Sequence, residues 1–407
     1  MEERLEFLSR HRKGERVTDL CREFGISRKT AYKFVARYKE HGALGLLDQR
    51  RVPERIPHRT SAEVTKLIVT LRREHPTWGP KKLVEVLRKK HPDTRFPSRS
   101  TSGEILERNG LIVRKRRRKH HAPVEHSALS VPSKPNDLWC IDFKGQFRLG
   151  NGRYCYPLTV TNAASRYVLA CEAFEAIDGL QVRIALEHLF KTLGLPKAIR
   201  FDGGSPFAST GLMRLSKLSA WWVSLGIRLE QIDPGCPQQN GRHERMHRTL
   251  KAETTRPPAM RLLQQQQRFD KWLSVFNHQR PHEALAMKCP ADVYVPSTRT
   301  HAPKPLSYPL HDLVLRVSDS GRIRFPNGRR GDKLYFLSES LAGHDLGLRE
   351  LDDGRWLVTF ASVDLGTIDR TTRTFTPRSG TEADADTQPT PRRRSSTTQT
   401  QKKRRAA

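Results

Sequence analysis

The chain has 407 residues, of which 74 are Lys or Arg and 43 are Asp or Glu, so its formal charge is +31. This excess predicts a polyanionic partner, and the length predicts two to four domains at roughly 100 to 200 residues each. No apolar run approaches the roughly 18 residues of a membrane span, and the N-terminus lacks the order of a signal peptide. We therefore expect a soluble intracellular protein that acts on nucleic acid and has no membrane partner.

The first 50 residues have apolar side chains at the three- and four-residue spacing of helices. Gly25 interrupts this spacing and Ser27 is a good N-cap, which predicts a helix from about Thr18, a tight turn and a second helix from about Arg28 to Glu40. That is the spacing of a helix-turn-helix unit, and a plain helical hairpin is the alternative. The side chains that the second helix would present to DNA are Arg28, Lys29 and Thr30.

Residues 51–113 predict a second unit of three short helices. Pro80 lies near the first turn of the middle helix, where its missing N–H costs little, and Ser98 begins the last helix. The polar side chains at these helix starts, which are candidate DNA contacts, are Lys81, Lys82, Arg99 and Ser100. The basic run Arg114 to Lys119 opens a predicted linker over residues 114–136, which can neutralise phosphates or act as a solvated tether.

From Asp137 the apolar pattern becomes that of strands. Three antiparallel strands are followed by alternating helices and strands, among them helices predicted over Leu212 to Leu225 and Gly241 to Thr254. This order predicts an α/β domain over residues 137–298 with a mixed five-stranded sheet. Residues 305–375 predict a small, barrel-like all-β domain, and residues 376–407 have the composition of a disordered basic tail.

Three carboxylates lie where a site of this domain would form. Asp142 ends the first predicted strand, Asp202 follows the fourth, and Glu244 lies in the first turn of the helix from Gly241. Strand ends and a helix start can converge at one edge of an α/β sheet. Convergent carboxylates repel one another unless cations lie between them, and their hard oxygen ligands suit two Mg²⁺ or Mn²⁺ ions acting at a phosphodiester. The alternative is that each is an ordinary turn or cap acid.

The helix that carries Glu244 adds two cations to this hypothesis. Arg248 and Lys251 follow Glu244 at i+4 and i+7, so they share its face and are predicted to bind substrate phosphates. His243 and His247 are also four residues apart, which is one element of a zinc site, but the sequence shows no third ligand. DNA contact or packing is the favoured interpretation of the two histidines.

Several ordered motifs of this chain resemble the integrase core of bacterial insertion-sequence transposases. They are Trp139-Cys140-Ile141-Asp142-Phe143-Lys144-Gly145, Phe201-Asp202-Gly203-Gly204-Ser205-Pro206-Phe207, Pro237-Gln238-Gln239-Asn240-Gly241-Arg242-His243-Glu244 and Phe276-Asn277-His278-Gln279-Arg280-Pro281-His282-Glu283-Ala284-Leu285. The resemblance implies a ribonuclease-H-like fold with a DDE triad at Asp142, Asp202 and Glu244 and two metal ions. This chain departs from the family motif at Gly203, because the family usually has Asn after the second Asp.

The resemblance further implies cleavage at element ends and transfer of the freed 3′-hydroxyl into target DNA. The partners would be double-stranded DNA, both terminal inverted repeats and target, and further copies of the chain, in the bacterial cytoplasm with the nucleoid. Two alternatives remain open. One is an element-derived DNA-binding regulator without catalytic activity, and the other is a nuclease acting on RNA–DNA hybrids.

Overall fold

The computed structural model describes residues 2–48, 59–112, 129–302, 305–326 and 331–378. The chain divides into two compact units, Met1–Ser61 and Ala62–Ala407. Much of the predicted linker and nearly all of the predicted tail lie outside the described residues, and so does the basic run Arg114 to Lys119. No described helix is both long and apolar enough to cross a bilayer.

The first unit contains the predicted helix-turn-helix. Its helices are α1 (Glu2–Arg12), α2 (Val17–Glu23) and α3 (Arg28–His41). Gly25 makes the turn with a φ of +61°, a conformation that glycine adopts without steric cost. The Ser27 hydroxyl accepts a hydrogen bond from the Thr30 backbone N–H at 3.1 Å, which fixes the start of α3 as predicted. Phe7, Leu20 and Ala31 pack between the helices.

The compact unit that starts at Ala62 begins with three helices, as predicted for residues 51–113. They are α4 (Ala62–Glu74), α5 (Pro80–Lys90) and α6 (Arg99–Arg108). Ser98 caps α6 by accepting from the Thr101 backbone N–H, and Ile68, Leu83 and Leu106 are fully buried around Trp78. Local capping and apolar spacing therefore account for this part of the fold.

A mixed sheet follows. Its strands are β1 (Trp139–Phe143), β2 (Phe147–Arg148), β3 (Tyr154–Asn162), β4 (Val168–Phe174), β5 (Ala198–Phe201) and β6 (Arg228–Gln231). The order β4-β3-β1-β5-β6 is antiparallel between the first three strands and parallel from β1 to β6. The predicted five-stranded sheet is confirmed, with β2 as an added two-residue strand on β3.

Four helices accompany this sheet, and two of them differ from expectation. They are α7 (Gly179–Leu193), α8 (Lys217–Ser224), α9 (Gly241–Thr254) and α10 (Leu262–His278). The helix predicted from Leu212 starts instead at Lys217, because Met213 and Arg214 have φ values of +51° and +55° and Ser216 caps the later start. The sequence reasoning missed α10, although Phe269, Trp272 and Phe276 bury one of its faces at helical spacing.

The remaining strands form the predicted small all-β part. They are β7 (Leu313–Arg316), β8 (Arg322–Phe325), β9 (Lys333–Phe336), β10 (Asp345–Glu350), β11 (Trp356–Phe360), β12 (Val363–Asp369) and β13 (Thr374–Pro377). One sheet has the order β13-β12-β11-β10-β7, and β8 pairs with β9. Ala220 and Val223 of α8 belong to the same buried cluster as Val358 and Phe360, so this part packs directly on the mixed sheet's helical layer.

Candidate active site

The three predicted carboxylates line one cavity of about 280 Å³. β1 and β5 are parallel neighbours in which Cys140 pairs with Arg200, so Asp142 and Asp202 both lie two residues beyond that pair. Glu244 enters from the first turn of α9. The structure therefore brings together Asp142, Asp202 and Glu244, although the first and the last are 102 positions apart in the sequence.

The cavity contains more oxygen ligands than its three carboxylates. Asn240 also lines it, and the Asn240 side-chain oxygen is buried without a hydrogen-bond partner. Asp202 Oδ1 accepts from the Gly204 backbone N–H at 3.1 Å, which orients that carboxylate. A buried oxygen that lacks a donor suits a hard cation or a water bound to one.

A buried ion pair anchors the segment that leads into α9. Arg200 Nη2 donates to Glu230 Oε2 at 2.9 Å, and Arg200 Nη1 donates to the Gln239 carbonyl at 3.1 Å. Both charged side chains are about nine-tenths buried. This pair links β5, β6 and the turn before α9. It therefore fixes the position of the start of α9, and with it Glu244, relative to the strands that lead to the two aspartates.

The electrostatics of the cavity are strongest at Asp142. Burial, and after it the charges of Asp202 and Glu244, raise the pKa of Asp142 to about 7. The charges of Asp202 and Glu244 therefore destabilise the ionised form of Asp142 when no cation lies between the carboxylates.

A buried hydrogen-bond network lies directly behind Asp142. The Thr159 hydroxyl of β3 contacts His243 Nε2 at 2.8 Å, His247 Nε2 at 2.6 Å and the Asp142 carbonyl oxygen at 3.1 Å. A hydroxyl has one proton, and the carbonyl can only accept, so both imidazoles donate from Nε2 to the Thr159 oxygen. Thr161 then donates to His243 Nδ1 at 2.8 Å.

This network fixes the state of both histidines. Burial lowers the pKa of His243 to about 3 and that of His247 well below its ordinary value, so both rings are neutral. His247 Nδ1 carries a lone pair and lies 3.7 Å from Asp142 Oδ2. Packing and hydrogen bonding therefore explain why two histidines occupy this face of α9, whereas DNA contact is excluded by their burial.

The same histidines also form the tightest metal-type cluster. Among the described residues, one group of three has candidate ligand atoms all within 4.8 Å of one another, and it combines His243 and His247 with Asp142. The sequence spacing gave no third ligand because Asp142 comes from a different element. Asp202 and Glu244 line the same cavity as Asp142 but are not part of this closest group.

The predicted DNA contacts fall into two sets. Five side chains are exposed at helix starts or on the exposed face of α9: Arg28, Lys29, Arg99, Arg248 and Lys251. Ser100 is exposed beside Arg99, whereas Thr30 is half-buried and its hydroxyl contacts Ser27. Lys81 and Lys82 differ from this exposed set. Lys81 forms an ion pair with Glu283 at 2.5 Å, and Lys82 is half-buried in the lining of a second cavity.

Gly203, where the chain departs from the family motif, can accept a side chain if Gln231 moves slightly. A Cβ atom there would lie 2.9 Å from Gln231 Nε2, the end of a flexible side chain. We expect Gly203→Asn to lower the free energy of unfolding by less than about 1 kcal/mol, measured by urea denaturation. Gly194→Asn is the contrasting control, since its Cβ would lie 2.5 Å from the Ser297 carbonyl oxygen at a φ of +76°. A larger loss for Gly203→Asn than for Gly194→Asn would contradict this account.

Comparison with known proteins finds matches to known domains. Residues 132–237 and 225–290 match integrase core domains, residues 3–53 match a helix-turn-helix domain, and residues 30–106 match a homeodomain-like domain. The chain is 32% identical over 190 residues to an uncharacterized 31.7 kDa protein of insertion element IS407 of Burkholderia multivorans, which covers 45% of this chain. It is 27% identical over 237 residues to an uncharacterized 39.2 kDa protein of insertion element IS476 of Xanthomonas euvesicatoria, which covers 58% of this chain.

The matched regions span 64% and 66% of the lengths of these two relatives. Among solved structures, the magnesium complex of the HTLV-2 integrase catalytic core domain matches 40% of this chain and 98% of its own, at 16% identity and a TM-score of 0.32. The chain thus carries helix-turn-helix domains followed by an integrase core domain with a mixed sheet, and its sequence is similar to those of proteins from bacterial insertion elements.

Proposed function

We propose that this chain is a metal-dependent DNA strand transferase that cuts DNA at the ends of a mobile element and joins those ends to target DNA. The observation that supports this most strongly is the convergence of Asp142, Asp202 and Glu244 on one cavity. The matches to integrase core domains over residues 132–237 and 225–290 support DNA integration as the class of reaction.

The residues of the cavity fit a pair of Mg²⁺ or Mn²⁺ ions. Three carboxylates and the unpartnered Asn240 oxygen form an all-oxygen donor set, which hard divalent cations prefer. Such ions would supply activation of the attacking oxygen and stabilisation of the leaving oxygen of a phosphodiester. Asp142, Asp202 and Glu244 are the proposed ligands.

The protein's own groups keep this donor set in place. Thr159 holds the backbone of Asp142, and the two imidazoles that donate to Thr159 fix that hydroxyl in turn. The Arg200–Glu230 pair holds the turn before α9, and therefore Glu244. A rigid support of this kind keeps reacting groups in the geometry that strand transfer needs.

The helical parts would recognise DNA sequence. Arg28 and Lys29 are exposed at the start of α3, and Arg99 and Ser100 are exposed at the start of α6. The start of the second helix of a helix-turn-helix enters the major groove. We propose that these units bind the terminal inverted repeats and that pairing of two ends brings several copies of the chain together.

Lys251 tests whether the exposed face of α9 binds DNA. We expect Lys251→Ala to weaken duplex binding and to reduce the slope of log K against log salt by about one, because one phosphate contact is lost. Metal binding should persist, since Lys251 is not a proposed ligand. Lys271→Ala, an exposed change on α10, is the control. Affinity and slope that match those of the control would contradict the assignment.

Strand cleavage tests the proposed function. The substrate is a labelled duplex that carries the proposed terminal inverted repeat, and the full chain with Mg²⁺ should cut it at the element end. A specific footprint without cleavage in Mg²⁺ or Mn²⁺ would favour a DNA-binding regulator. Preferential cleavage of an RNA–DNA hybrid would favour the ribonuclease-H-like nuclease.

A further inference from the structure

A second cavity lies on the other side of α9 from Glu244. Its volume is also about 280 Å³, and it shares no lining residue with the acidic cavity. Arg242, Arg245 and Thr249 of α9 line it, and their i, i+3, i+7 spacing sets them on the face opposite Glu244. The helix therefore forms a wall between an acidic cavity and this second one.

The second cavity is basic. The cationic side chains that line it are Lys82, Arg166, Arg242, Arg245 and Arg280. Arg280 is neutralised by Glu253 at 2.7 Å, and the one acid in the lining, Glu283, is neutralised by Lys81 at 2.5 Å.

The other four cations are not neutralised in this way. Within the described part of the chain, no carboxylate lies within ion-pair distance of Lys82, Arg166, Arg242 or Arg245. Lys82 and Arg166 are half-buried, whereas Arg242 and Arg245 are exposed. Four positive charges thus surround a small space, and an anion in that space would reduce the repulsion between them.

Two nitrogen atoms of residues that line this cavity are buried and lack a hydrogen-bond partner. Arg166 Nε, which can only donate, is buried without a partner, and so is His282 Nε2. Burial, and after it the charge of Arg280, lower the pKa of Lys82 to about 8. Burial likewise lowers the pKa of Arg166 to about 10, followed by the charges of Arg242 and Arg245. One acceptor-rich anion would accept a hydrogen bond from Arg166 Nε and reduce the repulsion between the cations.

Phosphate is the anion that fits. The guanidinium group of an arginine can donate two parallel hydrogen bonds to two oxygens of one phosphate, and the ammonium group of a lysine adds a compact positive charge. The cavity lies at the small end of the range for ligand sites, roughly 300 to 1,000 Å³, so it admits one phosphate group with its neighbouring atoms and no length of duplex.

We propose that this basic pocket, built by Lys82, Arg166, Arg242 and Arg245, binds a single phosphate group, either a backbone phosphate of bound DNA or that of a free phosphorylated molecule. The pocket joins α5 of the second helical unit to α9 of the core, so an occupied pocket ties the DNA-reading part to the helix that carries Glu244.

The test uses the full chain in metal-free buffer with two probes, inorganic phosphate and duplex DNA. Calorimetry should show phosphate binding that weakens about tenfold or more in Lys82→Met and Arg166→Gln, since each loses a charge-assisted contact. Lys271→Met should bind phosphate like the unmodified chain. Phosphate should also raise the melting temperature of the unmodified chain and of Lys271→Met, but not of the two pocket variants.

The DNA arm identifies the source of the phosphate. If it is the DNA backbone, the salt slope of duplex binding falls by about one in each pocket variant. If phosphate binding falls and the slope is unchanged, the ligand is a free phosphorylated molecule. Phosphate binding and salt slopes that are the same in all four proteins would overturn the proposal. Neither the phosphate-binding measurement nor the duplex-binding measurement depends on strand cleavage. A failure of the phosphate-pocket proposal can therefore be distinguished from a failure of the proposed function.

Discussion

Glu244→Gln is expected to lower the rate of DNA strand cleavage by about 10³-fold, a loss of roughly 4 kcal/mol of transition-state stabilisation. The amide keeps the shape of the side chain but removes the charge that the proposed metal ligand needs. Folding should be unaffected or slightly improved, because Glu244 raises the pKa of Asp142 and its removal relieves that repulsion. Single-turnover cleavage of a labelled element end measures the effect.

Glu187→Gln is the matched control for this change. Glu187 is on α7 and forms an i, i+4 pair with Lys191 at 2.7 Å, away from both cavities. It should cleave at the unmodified rate. A Glu244→Gln protein with more than a tenth of that rate would remove Glu244 from the proposed ligand set.

Thr159→Val is expected to have the largest effect on stability, about 3 kcal/mol of the free energy of unfolding. The change leaves two buried imidazole N–H donors without their partner, and each buried unsatisfied group costs roughly 1 to 3 kcal/mol. Urea denaturation measures it. Asp142 should also lose its support, so cleavage should fall in the fraction that remains folded.

Two other threonines serve as comparisons, because their replacement by valine should cost less stability. Thr161→Val removes one partner of His243 and should cost less, about 1 kcal/mol. Thr192→Val removes an exposed hydroxyl whose bond runs to a carbonyl of its own helix, and should change stability by less than about 0.5 kcal/mol. Equal losses for Thr159→Val and Thr192→Val would show that the network does not stabilise the fold.

The elements that the sequence predicted correctly are those with local signals. Ser27 and Ser98 mark helix starts because their side chains cap backbone N–H groups within three residues. The acids converge because strand ends in one sheet share an edge, which holds for Asp142 and Asp202 whatever the loops between them do.

What the sequence could not predict depends on distant partners. Thr159 and His243 are 84 positions apart, and no local pattern marks Thr159 as the centre of a network. Lys81 resembles a DNA contact at a helix start, but its carboxylate partner is Glu283, 202 positions away. The long helix α10 was missed because four consecutive glutamines, Gln264 to Gln267, obscure its apolar face, although two of them hydrogen-bond the protein interior.

Strand joining tests the central claim most directly. A pre-cut, labelled element end, incubated with the full chain, a supercoiled plasmid and Mg²⁺, should become covalently joined to the plasmid. The joined product should disappear in Asp142→Asn and in Glu244→Gln, while both variants still bind the end. Joining that persists in either variant, or an unmodified chain that binds the end and never joins it, would contradict the assignment of Asp142, Asp202 and Glu244 as the catalytic centre.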